Sequence, residues 1–479
     1  CKNRLFANKT FIIIIIMKKR NLFLLPALFA AVITLNTACS DDEAPAAQNN
    51  AQQTQTNLAA QQVSGNVSGT WTRGSVINVT GHIVVPQGQS LTIEDGVQVI
   101  FSAEGVGVNH VPIEFTVNGN LYIKGTEASP VLLSTEADLR TPDNAFAGLW
   151  GGIVAGATCE EMLIDHAIIE YTGGQVIEGS PAAENGVYTA GDDAYPQITT
   201  NNTSGRYVLT NSIIRNGWSD GIYLMGGNAI IQNNTFVANG YDGAEAVNCK
   251  AGVKADVVGN VMFSPNTNGL KLSSSGQSET RSQAKIAAYN NTIINAGWRR
   301  DGEKGGSVYV EKNALVYVFN NLFVNCKFRA QTPKYTSPDD PEKGYASASV
   351  IDYNYYASGS QRSAIVFPDE SNVAYAWEGY NYNNSNYFNG TVDAHSVIAT
   401  QVNGCDPLFV NFNINGVALT DYAYNSSWDF HLQASSPALS GAYAAGDLTG
   451  YFSNSGISVA GQTFTTAAPA PRFGAFGTK

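Results

Sequence analysis

Charged side chains are scarce in this sequence of 479 residues, where Asp, Glu, Lys and Arg together make up 14%. Basic residues are the rarer kind, because 27 Lys and Arg stand against 39 Asp and Glu and give a formal net charge of −12. The first 38 positions contain basic residues but no acid, so the rest of the chain is still more acidic. Such a surface repels phosphate backbones, and we therefore expect no nucleic-acid partner.

Histidine and cysteine are also few, with 5 and 6 residues. The sequence has no C-x-x-C pair and its histidines are scattered without metal-ligand spacing, so we predict no metal site. Cys159, Cys249, Cys326 and Cys405 lie in the body of the chain. They either form disulfides or pack as buried free thiols, and we favour the second alternative.

Glycine is plentiful, at 47 residues, and Asn, Thr, Ser, Val and Ile recur throughout. This composition suits short strands separated by tight turns and disfavours a helical protein. We therefore predict an all-β fold.

Residues 1–38 have the pattern of an upstream extension followed by a signal peptide. A basic cluster begins at Met17, where we expect translation to start, and an apolar run follows it. The run ends just before Cys39 and resembles the lipobox of bacterial lipoproteins, in which that cysteine is lipidated. A plain cleaved signal is the alternative. We predict a lipoprotein anchored in the outer membrane through Cys39, at the surface of a Gram-negative bacterium, with a flexible tether over residues 39–62.

An asparagine motif returns along the middle of the chain. It begins at Asn211 and recurs after steps of 23, 26, 31 and 30 residues, at Asn234, Asn260, Asn291 and Asn321. Repeats at this spacing are typical of a solenoid whose longer coils carry loop insertions. We expect the asparagines to stack as a ladder in which each amide bonds to the next.

Short apolar segments bounded by turn residues predict three strands per coil, stacked into parallel sheets. Residues 176–205 interrupt this rhythm with Gly, Asn, Asp and Thr, and we interpret them as a long loop inserted into one coil. Such insertions gather on one face of a solenoid, often where binding happens.

The repeat and several further segments resemble the right-handed parallel β-helix proteins of the pectate-lyase-like group. The further segments are Gly69–Val97, Gly148–Ile153, Cys405–Val410, Asp429–Gln433, Ser436–Leu439 and Pro471–Gly477. The resemblance implies a right-handed parallel β-helix over residues 63–440, followed by a C-terminal capping segment over residues 441–479.

The resemblance also implies a chemistry. Lyases of this group abstract a proton next to a uronate carboxylate, with a Lys or Arg as base and Ca²⁺ or another cation to neutralise the carboxylate. Basic residues near the repeated turns are Lys250, Lys254, Lys271, Arg299, Arg300 and Lys304. They form no motif that matches a known lyase, so we assign no catalytic residue.

Aspartates recur at the turns of successive coils, each with an aromatic residue shortly before it. The pairs are Trp218 with Asp220, Tyr241 with Asp242, and Trp298 with Asp301. We predict that they form a ligand-binding column, because an aromatic ring stacks on a sugar while a nearby acid accepts its hydroxyls. The alternative is a run of Asp-Gly turns in which each short side chain bonds to its own backbone. Convergence of the three acids in a groove with a Lys or Arg would favour an enzyme.

Three functions remain open from the sequence. We favour a surface-anchored β-helix that binds carbohydrate or another extended extracellular ligand without catalysis. The alternatives are a polysaccharide lyase or hydrolase acting on an acidic glycan, for which Ca²⁺ is the cofactor to consider, and a structural or adhesive surface protein. The segment Tyr375–Asn384 either contributes to glycan binding or packs as a loop against the last coils.

Overall fold

The computed structural model describes residues 61–301, 305–332, 335–360, 364–366, 374–376, 380 and 392–479. The predicted targeting segment, Cys39 and nearly all of the tether lie outside these residues, as do Lys304 and most of Tyr375–Asn384. Within them, no helix has the length and apolar character needed to cross a membrane.

The chain winds into coils whose short strands stack in parallel into three ladders, called A, B and C in the order in which a coil visits them. Ladder A contains Phe115–Val117, Ile153–Ala155, Ile198–Thr200, Ile222–Leu224, Val247–Cys249, Asn268–Ser273 and Gly306–Glu311. Ladder B contains Gly69–Trp71, Ser90–Glu94, Asn120–Lys124, Glu161–Asp165, Arg206–Thr210, Gly227–Gln232, Val253–Val258, Lys285–Tyr289, Leu315–Phe319 and Val350–Ile351. Ladder C contains Gln98–Phe101, Val131–Ser134, Ala167–Glu170, Ile213–Gly217, Thr235–Asn239, Val261–Phe263, Thr292–Ile294, Leu322–Val324, Tyr355–Ala357 and Val397–Ile398. The first strand, Gln61–Asn66, pairs in ladder C through Gln61, Gln62 and Val63 and in ladder A through Gly65 and Asn66.

One long strand, Val76–Val85, pairs in ladder C through its first half and in ladder A through its second half. It joins these two ladders into a sheet of 19 strands, while ladder B forms a sheet of 10. The antiparallel pairs outside the ladders are Ala364–Val366 with Ala374–Ala376, Phe409–Asn411 with Asp429–Leu432, and Ile457–Val459 with Gln462–Phe464. The short helices are Ala137–Leu139, Pro142–Asn144, Pro181–Glu184 and Pro437–Leu439.

Side chains along each strand alternate between the interior of the coil and its outer face. In Ile222–Leu224, for example, the two end residues are fully buried in the main core and Tyr223 lies between them on the outer face. One continuous apolar core therefore runs through the stacked coils, which make a parallel β-helix. The predicted fold class is confirmed.

The corner between ladders B and C is held by the predicted asparagine ladder. Asn260 donates both its backbone N–H and its side-chain Nδ2 to Asn291 Oδ1, at 3.0 and 2.9 Å. Its Nδ2 also donates to the carbonyl of Ile231 at 2.9 Å. The same bonds recur on the other rungs, and the ladder consists of Asn234, Asn260, Asn291, Asn321 and Asn354. Its members are buried, so each amide fixes the register of the next coil.

Asn211 is not a member of this ladder, which corrects the alignment of the first repeat. Ser212 occupies the first rung instead, because its backbone N–H donates to Asn234 Oδ1 at 3.0 Å. Asn211 lies one residue earlier, exposed, with φ of 52°. It shares the left-handed corner position with Asn233, where asparagine is tolerated better than most residues.

The predicted insertion is also shorter than expected at its end. Ile198–Thr200, which we had included in the loop, is a rung of ladder A. The structure confines the irregular segment to residues 174–196, with one helical turn at Pro181–Glu184, and we call this segment the insertion.

The C-terminal residues run along the side of the β-helix. Aromatic residues from Phe409 to Phe473 pack on outward residues of ladder C such as Phe263 and Leu322. Within the same stretch of chain, Phe452, Ile457 and Val459 pack on outward residues of ladder B, among them Leu163, Val208 and Ile230. The predicted capping segment 441–479 thus contributes to a lateral cover over ladders B and C.

Asp256 fastens this cover to ladder B. Its buried carboxylate accepts the backbone N–H groups of Tyr451 and Phe452, each at 2.8 Å, and the hydroxyl of Thr466 at 2.5 Å. Burial raises the pKa of Asp256, and these three hydrogen bonds oppose that rise.

Cys159, Cys249, Cys326 and Cys405 are free thiols. The first three are buried in the stacked coils, which confirms the favoured alternative for them, and Cys405 is half-buried.

Candidate functional site

The outer face of ladder A presents one side chain per rung in a straight column. Parallel pairing places these residues directly next to one another on successive strands. After Val84 in the long strand Val76–Val85, the column contains Thr116, Val154, Thr199, Tyr223, Asn248, Lys271 and Tyr309.

A cavity of about 640 Å³ lies over Tyr223, Asn248 and Lys271, and we call it the groove. Residues of the insertion line it, together with residues of the turns that lead from ladder C into ladder A in the following coils. The lining side chains include Gln175, Asp192, Asp193, Trp218, Asp220, Asp242, Glu245, Lys250, Thr267 and Arg300. A smaller cavity of about 310 Å³ shares Tyr223 and Lys250 with the groove.

A buried pair of acids forms part of the groove wall. Asp220 precedes the strand residue Ile222 by two positions, and Glu245 precedes Val247 by two; because Ile222 pairs with Val247, the two acids are stacked. Asp220 is 6% exposed and Glu245 5%. Asn248 Nδ2 lies 3.4 Å from both carboxylate oxygens of Asp220 and 3.0 Å from Glu245 Oε2, so one amide holds both acids.

The environment of Asp220 favours its protonated form. Burial raises the pKa of Asp220 well above its ordinary value, and the neighbouring charge of Glu245 and a side-chain hydrogen bond with it add to the rise. The backbone N–H of Glu245, which donates to Asp220 Oδ1 at 2.7 Å, opposes it. Burial beside a second carboxyl group therefore favours a proton on Asp220.

The pKa values of two lysines in the groove shift in opposite directions. Burial, reinforced by the charge of Lys271, lowers the pKa of Lys250. Burial also disfavours the charge of Lys271, but Glu245, Glu311 and Asp220 outweigh it and raise the pKa of Lys271. Lys271 Nζ lies 3.7 Å from Glu311 Oε1, which explains why it keeps its charge more firmly than Lys250 does.

Aromatic rings form a connected wall beside the groove. The rings of Trp218 and Tyr241 are 4.6 Å apart at their centroids, Tyr241 is 5.7 Å from Phe146, and Phe146 is 4.9 Å from Tyr422. Tyr241 is 56% exposed, so the wall presents an open ring face to solvent. Arg299 lies against this wall, 4.9 Å from the Phe146 ring, and burial lowers its pKa to about 10.

The predicted site residues separate into two groups. Trp218, Asp220, Tyr241 and Asp242 lie in or beside the groove, and Asp242 pairs with Arg300 at 3.3 Å. Their role in ligand binding stays a prediction.

The third pair lies elsewhere. Trp298 is only 9% exposed, and its Nε1 donates to the carbonyl of Asn325 at 2.5 Å, so its ring is a packing element. Asp301 is exposed and is not among the residues that line the groove. The predicted column of three aspartates is therefore wrong, because the coil neighbour of Asp220 is Glu245.

Some of the basic residues that the sequence places near the turns lie in the groove, and others lie elsewhere. Lys250, Lys271 and Arg300 line the groove. Arg299 is held behind the aromatic wall by carbonyls such as that of Gly240, at 2.7 Å, and Lys254 lies on ladder B.

Sequence reasoning missed Glu245, Asn248, Phe146 and Tyr422. If successive coils are aligned by their apolar strand residues instead of their Asp-Gly steps, Glu245 falls at the position of Asp220. The sequence therefore did contain a signal for Glu245. Phe146 and Tyr422 come from distant segments that meet only in the folded protein, and no local pattern indicates them.

The groove does not suit a calcium ion. Lys250, Lys271 and Arg300 share it with the acids, and their charges compete with a cation for the carboxylates. Among the residues that the structure describes, no group of three or more His, Cys, Asp or Glu side chains is arranged to hold a metal.

Comparison with known proteins supports the fold. Residues 62–176 match the family model described as a pectate-lyase like beta helix domain. This part of the chain is similar to the pectate-lyase-like β-helix domains that this family model describes. No curated protein and no solved structure matches the chain. The matched part of the β-helix ends before nearly all residues that line the groove, so the match carries no assignment of activity.

Replacement of Asp220 by Asn tests the proton on Asp220. Because its pKa is raised, the folded protein keeps a proton that the unfolded chain releases above about pH 4, and stability falls as the pH rises from there through the raised pKa. Relative to the unchanged protein, Asp220→Asn should gain about 1.4 kcal/mol in free energy of unfolding for each pH unit over which that proton is held.

Urea denaturation at a series of pH values measures this gain. Asp242→Asn controls for the loss of one charge from the exposed rim of the same groove. Identical pH slopes for Asp220→Asn and the unchanged protein would show that Asp220 holds no extra proton.

Proposed function

We propose that this protein binds carbohydrate in the groove on ladder A. The observation that carries the proposal is the open aromatic wall of Trp218 and Tyr241 beside a polar cavity. Sugars combine apolar ring faces, which stack on aromatic rings, with hydroxyls that need donors and acceptors.

The floor of the groove has hydrogen-bonding capacity to offer. Asn248 Oδ1 and Thr267 Oγ1 have no hydrogen-bond partner among the described residues, although buried polar groups ordinarily have one. The acids and lysines around them supply further acceptors and donors. This mixture suits a ligand rich in hydroxyl groups better than an apolar one.

The proposed location is the cell surface, with the chain anchored in the outer membrane through a lipid on Cys39. Support comes from the sequence, in which an apolar run ends just before Cys39 and a polar tether follows. A tether of this kind lets the groove reach large ligands outside the cell.

Affinity gels containing polygalacturonate, alginate, xylan or mannan test the binding proposal. Trp218→Ala and Tyr241→Ala should each weaken retention on the retaining gel about tenfold, because each removes a stacking face worth about 1.4 kcal/mol. Trp298→Phe is the matched control, since it alters a buried aromatic residue outside the groove. Equal retention of the two alanine variants and the unchanged protein would contradict the proposed aromatic contact.

A second candidate function is eliminative cleavage of an acidic glycan, which is favoured by Lys250. A lysine whose pKa is lowered by burial and by a second lysine gives up its proton more readily than an exposed lysine, which favours its use as a base. Neutral Lys250 would take the proton next to a uronate carboxylate, the electron pair would form a carbon–carbon double bond, and the bond to the glycosidic oxygen would break. The leaving oxygen would receive the proton held by Asp220 beside Glu245, while the charge of Lys271 would face the carboxylate.

Incubation with polygalacturonate and with alginate tests this candidate, because the unsaturated product absorbs in the ultraviolet. Lys250→Ala should lower the rate at least about 100-fold, as expected for loss of a general base. Lys285→Ala, which removes an exposed lysine of ladder B, should leave the rate unchanged. No absorbance with either polymer would reject the lyase candidate and leave the binding proposal in place.

A further inference from the structure

The insertion covers the first rungs of the face that carries the groove. Val154 points outward from ladder A, yet it is 1% exposed because it packs against Val176, Ala182 and Tyr195 of the insertion. On the next rung, Thr199 Oγ1 lies 2.7 Å from the hydroxyl of Tyr188. The outer face of ladder A is therefore closed on these rungs.

Glu114 holds the insertion in this position. Its fully buried Oε2 accepts the backbone N–H of Ala182 and the hydroxyl of Tyr195, both at 2.7 Å, and its Oε1 accepts the hydroxyl of Thr116 at 2.6 Å. Two of these three donors belong to the insertion. Loss of a buried acceptor with two donors leaves both of them unsatisfied, so this contact is costly to break.

The open part of the face is consequently short. It begins at Tyr223, whose ring is 6.4 Å from that of Tyr188, and continues over Asn248 and Lys271. The next outward residue, Tyr309, is not among the residues that line the groove. Neighbouring rungs are about 4.8 Å apart, so three open rungs accommodate about two or three sugar rings.

We propose that the insertion terminates the groove, so that the protein binds the end of a glycan chain, or a short oligosaccharide, rather than the middle of a polysaccharide. Glu114 is the positioning residue that keeps the insertion in place. This inference rests on the proposed carbohydrate site and adds how the ligand enters it.

Oligosaccharides of two to eight residues, prepared from each polysaccharide of the affinity-gel panel, test the chain-end mode by calorimetric titration. Affinity should rise up to the trisaccharide and then stay constant. A tenfold or larger gain from trisaccharide to hexasaccharide would overturn the inference while leaving the carbohydrate site intact. Failure of every gel and every oligosaccharide to bind would instead overturn the proposed function, and the chain-end mode with it.

Hydrogen exchange tests the role of Glu114 without any ligand. Glu114→Gln should speed exchange of the backbone amides of residues 182–195 about tenfold or more, because an amide oxygen is a weaker acceptor than a carboxylate oxygen and the new NH₂ group replaces one of the two acceptor oxygens that hold Ala182, Tyr195 and Thr116. Tyr195→Phe removes one of the two hydrogen bonds between the insertion and Glu114, so the increase in exchange should be smaller. It is the test variant to use if Glu114→Gln folds poorly. Glu184→Gln, an exposed change within the insertion, is the control. Unchanged exchange in both Glu114→Gln and Tyr195→Phe would reject Glu114 as the positioning residue.

Discussion

The register of successive coils is the constraint on which the rest of this structure depends. Parallel strands of two to six residues make few hydrogen bonds each, so a coil needs its neighbours above and below for its backbone groups. The buried amides of Asn234, Asn260, Asn291, Asn321 and Asn354 fix this stacking at one corner. Once that corner is fixed, every strand residue has a defined inward or outward direction, and the outward residues of each ladder form columns. The groove is one of these columns with loops on either side.

The outer faces of the three ladders differ in what covers them, because the C-terminal residues pack along ladders B and C. Apolar outward residues on ladders B and C are buried under this cover, which Asp256 anchors through three donors. Ladder A carries Tyr223, Asn248 and Lys271 instead, polar or amphipathic side chains that an apolar cover would leave unsatisfied. The chemistry of the outward columns thus separates two packing surfaces from the polar surface on which we propose binding.

The sequence was sufficient to predict the solenoid, because the asparagine repeat and the apolar strands recur in every coil. It was insufficient to predict which residues share a rung. Turns of unequal length shift the alignment, so the sequence repeat places Asn211 where the structure has Ser212, and the Asp-Gly steps place Asp242 where it has Glu245. Only the hydrogen-bond register corrects these shifts of one and three residues. Trp298 shows a second limit, since an aromatic residue before a turn has the same local pattern whether its ring is buried or exposed. Phe146 and Tyr422 show a third, since the aromatic wall joins segments far apart in the chain.

The central claim is that ligand binds on ladder A and on no other face of the β-helix. Hydrogen exchange measured with and without an oligosaccharide that the affinity gels retain tests this most directly, because it reports every face in one experiment. We expect slower exchange in Ile222–Leu224, Val247–Cys249 and Asn268–Ser273, with no change in the ladder B strands Gly227–Gln232 and Val253–Val258 of the same coils. Protection confined to ladder B or C, with ladder A unchanged, would contradict it.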